Sequence, residues 1–462
     1  MMGARLVAAA MVVAAVACSD SPQEGHIVFY IDTDAPLLPK SRTPQPELRA
    51  PALFEKLRVE FFSPTDQEPC CTREFDATED LFTYGASVTV RGNLDRVRVR
   101  LYRPSDQVDG VFSDRTTIDV VAKLPRMPGE GSVSANVFLE TARVGRPNGT
   151  LTDPIAAPLG SLDRGHVGTW PPALRTPCVG RPHKDEACIA GGAYFMGSSR
   201  GDDGLLSLPQ RLVSLSPFFL DQHEVTIGAI AEWIARAKKD PTKILVAWND
   251  KDTAEETNFC TYGRKDPDLP INCIIRSAAL EYCQSQGKTL PTEAQLEYVS
   301  GGMKAYPFVW GRAPAKCGDA VWGVRPNTFT CPETTPPTGP VAWSRADARK
   351  LDVLQVATGP VSDLAGNVQE YVLDVVSVKT DPCWQVPDAG FLSDPLCTAA
   401  NTKPIPEFPE LSDLDMLRGG SWSSELRDAL RSTLREVVFN VARAEPTIFA
   451  TPEIGFRCAR KP

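Results

Sequence analysis

The sequence predicts an α+β protein in which a β-sandwich domain precedes a second domain that is low in regular secondary structure. Its 462 residues exceed what one hydrophobic core usually fills, so we expect two domains. Short segments of alternating apolar and polar residues recur before position 142, and a period of two is typical of antiparallel strands. Proline accounts for 41 residues, well above its usual share of about 5%, so long irregular loops are expected.

The first 18 residues have the pattern of an export signal. A basic start, MMGAR, precedes an apolar stretch at positions 6–17 that is too short to span a bilayer. Because Cys18 directly follows small residues in AVAC, the segment is similar to a bacterial lipoprotein signal, and we expect cleavage before a lipidated Cys18. An ordinary cleaved signal that ends near a cysteine is the alternative. Lipidation would attach the protein to a membrane surface of the cell envelope through its acyl chains.

Residues 19–142 are predicted to form the β-sandwich domain. Six short alternating segments fall between positions 26 and 140, separated by proline, glycine and aspartate. In RVRVRLYR, Arg96, Arg98 and Arg100 occupy alternate positions, so their side chains share one face of a strand. We expect this face to be solvated, and binding of a polyanion is the alternative.

Residues 143–187 are predicted to be a linker, and residues 188–462 a second domain. The linker is rich in proline and glycine and shows little periodicity. Two helices of the second domain have clear start signals. Thr226 is placed to cap a helix with one apolar face, and Thr292 with Gln295 matches a capping box before another helix.

Charge and cysteine content limit the possible functions. The formal net charge of −9 disfavours a nucleic-acid partner, because phosphate binding requires a basic surface. The chain has 13 cysteines, and with Cys18 lipidated the remaining even number can pair completely in an oxidising compartment. Zinc binding is the alternative, but no CxxC motif occurs and the four histidines are scattered. Four candidate disulfides are close in sequence: Cys178–Cys188, Cys260–Cys273, Cys317–Cys331 and Cys383–Cys397.

Seven segments of the second domain occur in a recognisable order. They are GGAYFMGSS, FFLDQHEVT, YCQSQGKTLPTEAQLEYVSGG, YPFVWG, VSDLAGNVQEYV, LRGGSWS and GFRCAR. In this order they resemble the formylglycine-generating enzyme, or sulfatase-modifying factor, family. The resemblance covers residues 188–462 and implies a C-type-lectin-like fold, low in regular secondary structure and stabilised by calcium and disulfides.

The resemblance also implies where an oxidase of this family would hold copper. Such oxidases bind copper between two cysteine thiolates and convert a cysteine of a sulfatase peptide to formylglycine, and soft thiolates select Cu(I). In RGGSWSSELRDA, the two thiolate positions are occupied by Ser424 and Ala429. No cysteine occurs between Cys397 and Cys458 to replace them. We therefore expect no copper and no catalytic residue here, and we expect the paired glycines to form a structural corner.

Two other features of the family are implied to be present. The segment DLAGNVQE matches a calcium site built from two side chains and two backbone carbonyls, the oxygen ligands that a hard cation requires. Its implied ligands are Asp363, Gly366, Val368 and Glu370. A tight turn with solvated carboxylates is the alternative. Cys283 and Cys458 match a long-range disulfide of the family.

These observations predict an exported, lipid-anchored member of the family that is not an oxidase and acts in binding or assembly at the cell envelope. Its expected partners are the membrane surface and an unidentified protein or glycan. An oxidase with an unrecognised redox site and a purely structural envelope module are the alternatives. Sulfoxide synthase chemistry with non-haem iron would need a histidine cluster in an added helical domain, and the N-terminal region is strand-like and poor in histidine.

Overall fold

The structure is a computed structural model that describes most of the chain. The described residues are 25–39, 49–83, 85–163, 165–198, 207, 209–245, 259–324, 331, 340–342, 344–345, 349–378, 381–387, 390–399, 402, 414–439 and 451–462. The predicted export signal and its Cys18 lie outside the described residues. Within the described ranges, no helix is both long and apolar enough to cross a membrane.

The described residues divide into two compact units. The first lies within Met1–Lys40, Phe54–Tyr102 and Thr117–Thr169, and the second within Ser41–Leu53, Arg103–Thr116 and Trp170–Pro462. This division differs from the predicted one. The described residues 49–53 and 103–116 of the predicted β-sandwich domain belong to the second unit, and residues 143–169 of the predicted linker belong to the first. They are held there by backbone hydrogen bonds, such as Val121 N to Asn148 O at 2.8 Å, which need no side-chain periodicity.

Eight strands and one short helix form the described part of the first unit. The strands are β1 (His26–Thr33), β2 (Lys56–Phe62), β3 (Cys71–Asp76), β4 (Ala86–Val90), β5 (Arg96–Tyr102), β6 (Ile118–Lys123), β7 (Ser132–Leu139) and β8 (Ile155–Ala156), and the helix is α1 (Glu79–Thr83). They build a three-stranded sheet in the order β4-β1-β7 and a five-stranded sheet in the order β3-β2-β5-β6-β8. The N-terminal region is therefore β-rich, and side chains such as Phe29 and Val59 are fully buried in it.

The arginine face of β5 is not solvated as predicted. Arg100 is buried, and its Nη1 lies 2.7 Å from Glu60 Oε2. Asp119 lies opposite Arg100 on β6 and pairs with both Arg98 and Arg100. Arg98 and Arg100 therefore have carboxylate partners on neighbouring strands, whereas Arg96 pairs with Asp95 and donates to backbone carbonyls. Because the arginine side chains of β5 already have partners within the first unit, this face gives no reason to expect binding of a polyanion.

Twelve short strands and three helices form the described part of the second unit. The strands are β9 (Glu186–Ile189), β10 (Gly192–Met196), β11 (Arg211–Leu215), β12 (Phe218–Asp221), β13 (Val353–Val356), β14 (Gly359–Ser362), β15 (Gln369–Val375), β16 (Leu392–Ser393), β17 (Leu414–Arg418), β18 (Glu436–Phe439), β19 (Ile454–Gly455) and β20 (Ala459–Arg460). The helices are α2 (Ile227–Ala237), α3 (Arg276–Ser285) and α4 (Glu293–Ser300). The strands form small sheets in the orders β10-β11-β16, β20-β12-β9, β13-β14 and β18-β17-β15-β19. The predicted α+β class with little regular structure is confirmed.

Both predicted helix starts are present. The Thr226 side chain accepts a hydrogen bond from Ala229 N at the start of α2. Thr292 and Gln295 form a complete capping box at the start of α4. These local signals were readable because the capping residue and its target lie within one helical turn.

Five disulfides cross-link the described residues of the second unit. The pairs are Cys178–Cys188, Cys260–Cys273, Cys283–Cys458, Cys317–Cys331 and Cys383–Cys397. Four of them close loops of 10 to 14 residues. Cys283–Cys458 spans 175 residues and joins α3 to the segment before β20, so it restricts the unfolded chain over the longest range.

Candidate functional site

The segment RGGSW forms a tight corner at the end of β17. Gly419 has a φ of 78°, in the left-handed region that favours glycine. A Cβ on Gly420 would lie 2.7 Å from Leu430 Cδ2 and 2.9 Å from Ala365 O. Only glycine fits at position 420, so the corner is a packing feature of the fold.

Backbone hydrogen bonds join the corner to the loop that carries the predicted calcium ligands. Gly420 N donates to Ala365 O at 2.9 Å, and Trp422 N donates to Asn367 O at 2.8 Å. The Trp422 ring is buried, and its Nε1 donates to Pro452 O at 3.1 Å. The structure thus brings together the two motifs that the sequence singled out separately.

Serine hydroxyls cluster at Ser424, the first of the two positions that the family resemblance assigns to copper. Ser424 Oγ accepts a hydrogen bond from Ser421 N at 2.9 Å, and Ser421 Oγ lies 3.1 Å from Ser423 Oγ. The Ser424 carbonyl accepts from Gly323 N at 2.9 Å. Hydroxyl groups are hard, neutral donors, so this cluster does not reproduce the soft thiolates that Cu(I) requires.

The second position that the family resemblance assigns to copper is Ala429, whose side chain offers no ligand. Ala429 lies in a short 3₁₀ turn, Arg427–Leu430, and its N donates to Leu426 O at 3.1 Å. Cys331 is linked to the corner through Gly323, whose O accepts from Cys331 N at 3.2 Å, but Cys331 is disulfide-bonded to Cys317. Every described cysteine of the second unit is in a disulfide, and a disulfide sulfur cannot act as a thiolate ligand.

The predicted calcium ligands Asp363 and Glu370 face arginines. Both carboxylate oxygens of Glu370 lie 2.8 Å from Arg457 Nε. Asp363 Oδ1 accepts from Arg349 Nε, and Asp363 Oδ2 is buried without a hydrogen-bond partner among the described residues. Of the four carboxylate oxygens of Asp363 and Glu370, Asp363 Oδ2 is therefore the one that has no hydrogen-bond donor among the described residues.

The loop between these carboxylates is shaped by a third carboxylate that the sequence analysis missed. Asp352 accepts hydrogen bonds from the backbone N atoms of Leu364, Ala365 and Gly366 at 2.9 to 3.1 Å. A Cβ on Gly366 would lie 2.6 Å from Val321 O, which explains the glycine. In the sequence, Asp352 lies eleven positions before Asp363, where the turn begins. Capping and turn patterns act over about three or four residues, so they could not identify this contact.

Carboxyl groups outnumber guanidinium groups in this buried cluster. Its carboxyl groups belong to Glu224, Asp352, Asp363 and Glu370, and its guanidinium groups to Arg349 and Arg457. Burial raises the pKa of Asp363 to about 7 and that of Asp352 to about 6. Burial, and next the neighbouring Asp363, raises the pKa of Glu224 well above its usual value.

The donor set fits calcium only in part. Ca²⁺ takes about six to eight oxygen ligands, whereas Glu370 is fully engaged by Arg457 and Asp363 keeps one open oxygen. Among the described residues, no group of three or more His, Cys, Asp or Glu side chains is arranged to hold a metal ion. Calcium at Asp363, Gly366, Val368 and Glu370 therefore stays a prediction.

A second buried ion network fixes the strand that leads into the corner. Arg418, the last residue of β17, pairs with Glu297 and lies 3.5 Å from Glu293 Oε1. Arg435 Nη2 donates to Glu293 Oε2 at 2.9 Å. Two carboxylates at i and i+4 on the buried helix α4 need cationic partners, so this network could have been anticipated, but not which arginines supply it.

The match to known proteins covers the second unit. A family model described as sulfatase-modifying factor enzyme 1-like domain matches residues 175–462, more than half of the chain. The chain belongs to the sulfatase-modifying factor family. The match begins inside the predicted linker, so the domain of this family member starts before Cys188.

Solved structures of other proteins are similar to part of this family member. One similar structure is PvdO from Pseudomonas aeruginosa, with 18% identity over 63% of this chain and 100% of that chain, and a TM-score of 0.40. Another is Treponema denticola variable protein 1, with 16% identity over 60% of this chain and 95% of that chain, and a TM-score of 0.37. No curated protein matched the sequence.

Proposed function

We propose that this member of the sulfatase-modifying factor family is not an oxidase and acts by binding a protein or glycan partner at the bacterial cell envelope. The observation that carries the proposal is the identity of two residues. Ser424 and Ala429 stand at the positions where an oxidase would hold copper. A site without sulfur can neither hold Cu(I) nor supply the redox chemistry that depends on it.

The surroundings of the corner support a binding role. Residues 425–428 are exposed, and Leu426 keeps 73% of its surface accessible. The rings of Phe308 and Trp310 are stacked, with their centroids 4.9 Å apart. Arg431 connects these rings to the exposed segment. Its guanidinium lies over the Phe308 ring at 5.7 Å, and its Nε pairs with Asp428 at 3.0 Å. We infer that a rigid aromatic and charged base presents this segment to a partner.

Copper binding and peptide oxidation test the proposal directly. The full chain is titrated with Cu(I) against a competing chelator and then incubated with dioxygen and a cysteine-containing sulfatase peptide. We expect no tight copper binding and, by mass spectrometry, an unchanged peptide cysteine. Formylglycine formed over many turnovers would overturn the proposal and would favour the alternative of an oxidase with another redox centre.

The envelope location rests on the sequence of residues 1–18 and has its own test. Expressed in a bacterium with lipoprotein machinery, the protein should partition with membranes, and Cys18→Ser should release it or block its processing. If both forms are processed and equally soluble, the anchor is absent.

A further inference from the structure

Cys70 and Cys71 are the described cysteines that are not in a disulfide. They are adjacent in the sequence, Cys70 is exposed and Cys71 is half-buried. Their sulfur atoms are 2.9 Å apart, with the Cys70 thiol donating to Cys71 Sγ. Two thiols in contact at a surface are unusual in a chain whose other described cysteines are all oxidised.

The pair lies at the end of the loop that joins β2 to β3. Cys71 opens β3 opposite Phe61, and Cys70 N donates to Phe61 O at 2.9 Å. Loop residues 64–68 are exposed, and β3 is the edge strand of the five-stranded sheet. A small molecule in solution can therefore approach the two sulfurs without unfolding the sheet.

We propose that Cys70 and Cys71 form a two-electron redox couple that is closed to a vicinal disulfide by a small-molecule disulfide and reopened by a thiol. In the first step the Cys71 thiolate attacks one sulfur of the oxidant, which forms a mixed disulfide and releases one thiolate. In the second step Cys70 loses its proton to solvent and attacks the Cys71 sulfur, which expels the second thiolate. One dithiol and one disulfide thus become one ring disulfide and two thiols.

The hydrogen bond between the sulfurs assigns the two roles. Cys70 donates its S–H to the Cys71 sulfur, which is the acceptor. Burial, and next the hydrogen bond to Cys71, raises the pKa of Cys70 to about 11, which keeps the proton on Cys70. Cys71 is therefore the attacking sulfur, and Cys70 is the resolving sulfur.

The ring should be more easily reduced than the other disulfides. Neighbouring Cα atoms are about 3.8 Å apart, below the usual disulfide range of about 4.4–6.8 Å, and such deviations make the bond more reducible. The disulfides of the second unit have Cα–Cα separations of 5.3 to 5.9 Å. Strained and exposed disulfides have the higher potentials of labile or regulatory bonds, so the pair suits a reversible switch.

The first test follows the fate of an aromatic disulfide, 5,5′-dithiobis(2-nitrobenzoate), on the folded full chain. The double variant C70S/C71S gives the background from any thiol elsewhere. Above that background, the wild type should release two equivalents of nitrothiobenzoate, keep no adduct and lose two hydrogens in mass. Cys70→Ser should release one equivalent and retain a stable adduct on Cys71, faster than Cys71→Ser reacts at Cys70. Two stable adducts on the wild type, or a covalent dimer, would overturn the proposal.

The second test uses the wild type alone, so it does not depend on whether a variant folds. Oxidised protein is exposed to rising concentrations of a thiol and is then alkylated and mapped by mass spectrometry. Cys70 and Cys71 should be labelled together at a thiol concentration at least tenfold below that needed for any cysteine of the second unit. Labelling of a second-unit disulfide first, or at the same concentration, contradicts the proposal.

Discussion

Arg457 Nε lies 2.8 Å from both carboxylate oxygens of Glu370, at a position where the family resemblance places a calcium ligand. The same guanidinium donates through Nη2 to the carbonyls of Ser362 and Asp363 at 2.9 and 3.0 Å. An arginine thus contacts the Glu370 carboxylate that a cation would contact, while its backbone partners differ from the implied carbonyls of Gly366 and Val368. Arg457 neutralises Glu370 in this structure, and substitution of Arg457 and addition of calcium test separately how much each cation stabilises the folded chain.

Replacing Arg457 by methionine should destabilise the second unit strongly. The side chain is fully buried, and removing one partner of a buried ion pair costs about 3–5 kcal/mol because the other charge is left uncompensated. The measurement is the free energy of unfolding in urea. Arg427→Met, at an exposed position, is the matched control and should change it by less than about 0.5 kcal/mol. A loss equal to the control would show that Glu370 is neutral or otherwise satisfied.

Calcium should raise the melting temperature of the wild type, and a chelator should lower it. A ligand that binds only the folded state stabilises it by mass action, and Asp363 Oδ2 is a buried oxygen open to a cation. The calcium effect should be absent in Glu370→Ala. Melting curves that respond to neither calcium nor chelator would show that Arg349 and Arg457, and not calcium, neutralise the carboxylates of this loop.

What the sequence predicted well is local or ordered along the chain. The caps at Thr226 and Thr292 and the short-range disulfides depend on residues a few positions apart, and the motif order identified the family. The arginine contacts were missed because Arg457 and Glu370 are 87 residues apart, and periodicity carries no information on such pairs. The alternation of β5 was predicted correctly because it is a local pattern. The carboxylates that pair with its arginines, Glu60 and Asp119, could not be predicted because they depend on the order of the strands in the sheet.

Gly420→Ala should destabilise the second unit by about 1–3 kcal/mol, the usual cost of forcing an extra carbon into a packed site. The added Cβ would meet Leu430 Cδ2 at 2.7 Å and the carbonyls of Ala365 and Ala429 at 2.9 Å. Thermal unfolding measures the change. Gly129→Ala is the control, because a Cβ there meets nothing within 4 Å. Equal melting temperatures for the two variants would show that the corner is looser than its contacts indicate.

Acidification should weaken the second unit between pH 4.5 and about 2 through Glu186. Burial alone would raise the pKa of this carboxyl group, but its bonds to Arg460 and Lys288 outweigh burial and lower the pKa to about 2. Because the folded pKa lies below the unfolded one, the stabilisation is complete above pH 4.5 and is lost as pH falls through the folded value. Urea unfolding across this range should show a shallower pH dependence in Glu186→Gln. The exposed Glu232→Gln should match the wild type, and identical slopes in all three proteins would refute the assignment.

Restoring both sulfurs should restore copper binding. Ser424→Cys with Ala429→Cys places thiols at the two positions that the family resemblance assigns to copper, and two soft thiolates select Cu(I) over harder ions. The corner itself is rigid, since Gly420 is packed and Trp422 is buried, so the substitutions should not change its path. We expect the double variant to bind one Cu(I) in competition with a chelator at least a hundredfold more tightly than either single variant or the wild type. A double variant that folds, keeps both thiols reduced and still binds no better than the single variants would show that Ser424 and Ala429 do not occupy the thiolate positions, and the non-oxidase proposal would then lose the observation that carries it.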